Sequence, residues 1–259
     1  MSQLDDIVGR RLRDVRQRKD REPIETLRDG ARRRPPSRPF ARALCTGAPS
    51  IVAEFKRSSP SAGLIGERVL GTTVRAYQAG GACALSILTE PHWFGGGLDD
   101  LVAAREASTL PVLRKDFIVD EYQIWESAQA GADAILLIAA ILTTGELDAF
   151  RGIAESLGMD ALVEVHDESE ARRALRAGAK VIGINNRDLR TMQVDLTTAP
   201  RVRRALPERC TVVAESGYRS AADIETCARA GMNAVLVGES LMRAADPVAA
   251  LERLRGVPV

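Results

Sequence analysis

The chain has 259 residues, 45% of them hydrophobic, and a formal net charge of +1. That apolar content suits one large α/β barrel or two small domains, and no run is long and apolar enough to span a membrane. Four scattered cysteines without paired spacing and two histidines argue against a disulfide framework and a His-rich metal site, so a reduced, cytoplasmic protein without a metal is expected.

Charge is unevenly divided. Residues 1–49 carry 13 Lys+Arg against 7 Asp+Glu, and the remainder carries 23 against 28. Met1 to Asp6 begins acidic and lacks an apolar core, so no secretion signal is expected. A basic arm on an acidic body raises the question of nucleic acid. No aromatics interleave the arginines, as single-strand binding would want. Leu4, Ile7, Val8, Leu12 and Val15 fall at helical spacing. Pro23 suits the start of a second helix, continued by Ile24, Leu27 and Ala31. The arm therefore reads as two short solvated helices crossing the body. The segment Pro35-Pro36-Ser37-Arg38-Pro39 ends it as an extended connector. This predicts a helical extension over 1–49 packed on a catalytic domain over 50–259.

From residue 50 onward, short apolar runs close on a charged or amide residue. Ile51-Val52-Ala53 runs into Glu54 and Lys56, and Pro111-Val112-Leu113 into Arg114-Lys115-Asp116. Later runs close on Glu164, Asn185 and Glu215. Strands are predicted near 51–56, 83–88, 111–115, 134–138, 161–165, 181–184, 211–215 and 234–237. Between them, Ala79-Gly80, Ala130-Gly131, Ala177-Gly178 and Ala230-Gly231 end helix-like stretches at spacings of 51, 47 and 53 residues. Glycine suits the left-handed position just past a helix. Eight strand–helix repeats without a GxGxxG fingerprint favour a (β/α)8 TIM barrel over a doubly wound sheet.

In such a barrel the C-terminal strand ends form the reaction site. Two lysines, three carboxylates and an amide converge there, and structural ion pairs at the rim would be a poor account of all six. A partly desolvated lysine is expected to have a lowered pKa and to donate a proton near neutrality. Glycines follow the seventh and eighth strands, in Glu215-Ser216-Gly217 and Val237-Gly238-Glu239. Backbone N–H groups there are expected to meet a phosphate.

These residues carry a close resemblance. Ile51 to Ser61 in the pattern IVAEFKRSSPS, Leu88-Thr89-Glu90-Pro91 with Phe94, Leu113 to Phe117, Ile184 to Leu189, Glu215-Ser216-Gly217 and the Val237-Gly238 turn resemble the indole-3-glycerol phosphate synthases. The basic helical arm resembles that family's N-terminal segment. The resemblance implies ring closure of 1-(2-carboxyphenylamino)-1-deoxyribulose 5-phosphate with loss of carbon dioxide and water, a step of tryptophan biosynthesis that needs no cofactor. It implies Lys115 as general acid for ring closure and Glu164 as the partner for dehydration. Lys56 would face the anionic substrate, with Glu54 orienting it and the substrate amine. Asn185 and Glu215 would hold hydroxyls and position the lysines. Arg187 and Ser59 would contact anions, and Phe94, Phe117 and Leu189 would form the aryl slot. Ser216, Gly217, Gly238 and the Glu239 backbone would bind phosphate. A small-molecule substrate, no nucleic acid, no membrane and a monomer are the expected partnerships.

Two departures stand out. Glu239 occupies a place where some members have serine, so its carboxylate must point away. Gly95-Gly96-Gly97 replaces a pattern that usually ends in serine and is expected to loosen the loop after the second strand. The loop from Arg57 to Val69 reads as a mobile lid. His166 reads as the start of the fifth loop rather than a proton shuttle, His92 as solvated, and Trp93 and Trp125 as packing. Two alternatives are a phosphoribosylanthranilate isomerase-like barrel, disfavoured by Glu54 and Lys56 in place of a cysteine, and an RNA-binding barrel using the arm.

Overall fold

The computed structural model describes residues 2–47 and 49–257. Its eight barrel strands are Ser50–Phe55, Ala84–Leu88, Val112–Lys115, Ala134–Ile138, Asp160–Val165, Val181–Asn185, Thr211–Glu215 and Ala234–Val237. All neighbouring pairs are parallel, and the first strand closes the barrel against both the second and the eighth. Almost every strand residue is buried, as expected where helices cover one face and the barrel interior the other.

Alternation divides the strands between two cores. Val52, Leu113, Leu136, Leu162, Val213 and Leu236 fill the barrel interior. Their neighbours Ile51, Ala53, Ile135, Val163, Val212 and Val235 pack between sheet and helices.

The arm closes both ends of that interior. Helix α1 (Gln3–Arg21) starts at a capping box between Ser2 and Asp5 and lays Leu4 and Ile7 over the mouth. Helix α2 (Ile24–Arg32) follows from Pro23, and buries Leu27 and Ala31. The connector then crosses to the other end, where the Arg38 N–H donates to Asp133 Oδ1 at 2.7 Å. A short helix unforeseen in the sequence, α3 (Phe40–Ala43), sets Phe40 and, just beyond it, Leu44 into the same interior cluster as Leu4 and Ile7. Its Ala41 N–H donates to Asp160 at the start of the fifth strand.

The apolar face of α1 is not the one the spacing predicts. Leu12 is 49% exposed, whereas Arg11 is 2% exposed. The buried stripe is Leu4, Ile7, Arg11 and Val15, because Arg11 has a buried carboxylate to meet.

Two loop expectations are also corrected. The left-handed residue after the first repeat helix is Gly81, at φ 85°, rather than Gly80; Gly131, Gly178 and Gly231 do adopt positive φ. The Gly95–Gly97 loop is pinned rather than loosened. Asp100 accepts from the Gly97 N–H and takes both arms of the Arg57 guanidinium at 2.6 and 2.7 Å. Arg57 also donates to the Gly95 carbonyl. Beyond Arg57, Ser58–Ser59 and Gly63–Leu64 form a small antiparallel ribbon. Among the described residues no helix is long and apolar enough to cross a membrane.

Candidate active site

Strand alternation builds the site. Glu54 lies two residues past inward-facing Val52, Lys115 two past Leu113, Glu164 two past Leu162 and Glu215 two past Val213. Side chains two apart share a face, so each polar residue enters the barrel as the apolar layer ends. All fifteen residues singled out in sequence line one cavity of about 330 Å³ at the C-terminal mouth, under Leu4 and Ile7.

Lys115 sits at its centre. Its Nζ donates to Glu164 Oε2 at 2.9 Å and lies 3.4 Å from Glu215 Oε2. The expected lowering of its pKa is overturned. Burial opposes the charge, but Glu164, Glu215 and Glu54 outweigh burial and raise the pKa. The two carboxylates then part company. Burial raises Glu164, yet Lys115 and His166 overcome it and hold Glu164 below the ordinary range. Burial, Glu164 and Glu54 push Glu215 up to about 7 against the pull of Lys115. Lys115 is nearer Glu164, so Glu164 keeps its charge and Glu215 gives way.

The second lysine forms a separate pair. Lys56 Nζ lies 2.6 Å from Glu54 Oε1, and Ser86 Oγ reaches Glu54 Oε2 at 3.4 Å. Gly238 makes room for this pair. A Cβ on it would stand 2.5 Å from Glu54 Oε1 and 3.1 Å from Lys56 Nζ.

The rings of Phe94 and Phe117 lie 6.1 Å apart at a tilt of 40°, and Leu189 packs against the same interior cluster. Asn185 Oδ1 accepts the Arg187 N–H at 2.9 Å. Arg187 and Ser59 line the cavity but spend hydrogen bonds on their own loops. Arg187 donates to the Met192 carbonyl, and Ser59 Oγ accepts the Ala62 N–H.

At the other end of the cavity Ser216 and Gly217 adopt consecutive positive φ, 67° and 94°. Buried Asn186 supports that turn by donating to the Ser216 carbonyl and the Tyr218 hydroxyl. Successive backbone N–H groups in such a turn can form an anion-binding concavity. The Glu239 carboxylate is turned to Arg243 Nε at 3.1 Å, so it does point away.

Several contributors escape the sequence reading. Asn186 and Ser86 support functional groups from behind. His166, read as a loop residue, stands 3.4 Å from Glu164. Arg114 and Asp116 flank Lys115 and therefore face outward, where Asp116 meets Arg11 and Arg114. Their parity about Lys115 is the signal that predicts this.

A closed parallel barrel whose C-terminal mouth gathers two lysines, three carboxylates and an amide has the architecture of a (β/α)8 barrel enzyme. The family model described as indole-3-glycerol phosphate synthase matches residues 4–254. Indole-3-glycerol phosphate synthases of Mycolicibacterium smegmatis and Streptomyces griseus are 46% and 44% identical, over 97% and 98% of this chain and 93% and 95% of theirs. The chain belongs to the indole-3-glycerol phosphate synthase family, carboxy-lyases of tryptophan biosynthesis. A solved structure described as thiamine phosphate pyrophosphorylase from Pyrococcus furiosus shares the fold alone. It is 18% identical with a TM-score of 0.59, over 80% of this chain and 93% of that one.

Proposed function

We propose that Lys115 is the general acid for ring closure and Glu164 its partner in dehydration. The observation that carries this reading is the Lys115 ammonium held between Glu164 and Glu215 at the floor of the cavity. Ring closure turns the ketone oxygen of 1-(2-carboxyphenylamino)-1-deoxyribulose 5-phosphate into an alkoxide. An alkoxide is far more basic than an amine, so a lysine kept charged still protonates it as it forms. Loss of carbon dioxide restores the aromatic ring. The hydroxyl then leaves as water on a proton from a lysine ammonium of the site, and Glu164 takes the proton lost from the neighbouring carbon.

The remaining roles follow from position. The Glu54–Lys56 pair faces the substrate carboxylate and amine, with Ser59 and Arg187 as further anion contacts. Asn185 and Glu215 hold sugar hydroxyls. Phe94, Phe117 and Leu189 form the apolar slot for the aryl ring. Backbone N–H groups at Ser216, Gly217, Gly238 and Glu239 meet the phosphate. The active unit is a cytoplasmic monomer in which residues 1–49 serve as a cover for the barrel of 50–259.

The test follows indole fluorescence from the synthetic substrate. Lys115→Ala and Glu164→Gln are each expected to lower kcat by at least about 100-fold. Full turnover by Lys115→Ala would remove the acid from this scheme.

A further inference from the structure

His166 follows Glu164 by two residues, at the start of the loop after the fifth strand. Its ring stands between two carboxylates. Nδ1 is 3.0 Å from Glu170 Oε2, and Nε2 is 3.4 Å from Glu164 Oε1. Glu170 also accepts the His166 backbone N–H at 2.8 Å. The Glu170 backbone is itself held by the Asp167 side chain at the helix start. One carboxylate thus grips both ring and backbone, and the ring cannot turn away without losing its contact with Glu170.

Nε2 is buried and makes no hydrogen bond among the described residues. It faces Glu164 within ion-pair range but off the line of a hydrogen bond. Glu164 therefore has a nitrogen partner for each oxygen: Lys115 on Oε2 and His166 at Oε1. Four carboxylates surround the ring: Glu164 at the end of the fifth strand, Glu170 on the following helix, Glu215 on the seventh strand and Asp188 in the loop after the sixth, with the Lys115 ammonium on the far oxygen of Glu164. Burial opposes the imidazolium, but these carboxylates outweigh it and raise the His166 pKa.

A second cation has a purpose at one moment in the reaction. Once Lys115 gives its proton to the substrate, Glu164 loses the charge that held it ionised. A carboxylate that is 1% exposed and repelled by Glu215 would then pick up a proton. We infer that His166 is a positioning residue for this reaction: clamped by Glu170, it keeps Glu164 ionised and aimed while Lys115 is engaged with substrate. This rests on the role of Glu164 proposed above.

The experiment compares pH profiles of kcat for wild type, His166→Leu, His166→Gln and Glu170→Gln, with Glu164→Gln in parallel. In His166→Leu the acidic limb is expected to move up by about one pH unit, with kcat about tenfold lower at pH values on the acid side of both limbs and KM within about twofold. His166→Gln keeps a donor without a charge. Its kcat should recover at high pH while the shifted acidic limb remains, which carries the test if the leucine variant fails to fold. Glu170→Gln should shift the limb in the same direction by less. A wild-type acidic limb in His166→Gln, or a loss equal at all pH values, overturns the inference. If Glu164→Gln stays fully active, the proposed role of Glu164 fails and the inference with it. If Glu164→Gln is inactive while both His166 profiles match wild type, the inference alone fails.

Discussion

The Glu215 carboxylate occupies the space that a side chain on Gly183 would fill. Gly183 lies in the middle of the sixth strand, where glycine ordinarily weakens a sheet. Here its missing Cβ lets Glu215 lie against the strand, with Leu162 Cδ1 3.4 Å from the vacant position. Gly183→Ala must turn Glu215 out and break its 3.4 Å contact with Lys115. A displacement of this size beside the reacting atoms is expected to lower kcat about 100-fold. The crowding itself should cost about 1–3 kcal/mol of stability. Indole fluorescence and thermal melts measure the two effects, and unchanged kcat in a folded Gly183→Ala enzyme would count against this reading.

Glu215 also makes stability depend on pH. Burial, with Glu164 and Glu54 nearby, pushes it up to about 7, whereas an unfolded glutamate titrates near about 4.3. A folded pKa above the unfolded one stabilises the protein fully below the unfolded value. That contribution is lost as pH rises through the folded value. Wild type should therefore lose stability relative to Glu215→Gln between about pH 4.3 and about pH 7.5. Thermal melts across that range test it, because Lys115 keeps Glu164 as a partner in the variant. A Tm difference that does not vary with pH would remove the argument.

The strands and their polar ends are legible in sequence because the rule that reads them is local. A residue two beyond an inward apolar side chain faces inward, so Glu54, Lys115, Glu164 and Glu215 are placed by counting. The same rule turns Arg114 and Asp116 outward. What they meet there is not readable, because Arg11 and Asp116 are 105 residues apart in sequence. That contact decides which side of α1 is buried, and it overrides the apolar spacing that favours Leu12. Gly183 and Gly238 look like ordinary flexible positions until the side chains crossing them are known. His166 looks like a loop residue for the same reason: its meaning depends on Glu170 folding back over it. The sign of the Lys115 shift is not legible locally, because the apolar run signals only burial and the carboxylates that outweigh it come from three other strands.

The arm is expected to be fastened chiefly through Arg11. Its guanidinium donates to both oxygens of Asp116, at 2.9 and 2.5 Å, and both side chains are buried. Arg114 approaches Asp116 Oδ2 at 2.9 Å from the other side. Arg11→Met removes one partner but leaves Asp116 paired, so the expected loss is at the low end for a broken buried ion pair, about 3 kcal/mol in urea melts. Burial pushes the Asp116 carboxyl up, but Arg11 and Arg114 hold it well below the usual carboxylate range. A folded pKa depressed in this way stabilises the protein above the unfolded value, about 3.9, and the gain disappears as pH falls through the folded value. Acid unfolding of wild type should thus lie below about pH 4, and Arg11→Met should move its midpoint upward. Asp116 sits between Lys115 and Phe117, so loosening it should also reduce kcat/KM severalfold at neutral pH while the barrel stays folded. Superimposable acid titrations of wild type and Arg11→Met, followed by circular dichroism, would show that the arm is held by its apolar contacts at Leu4, Ile7 and Val15 instead.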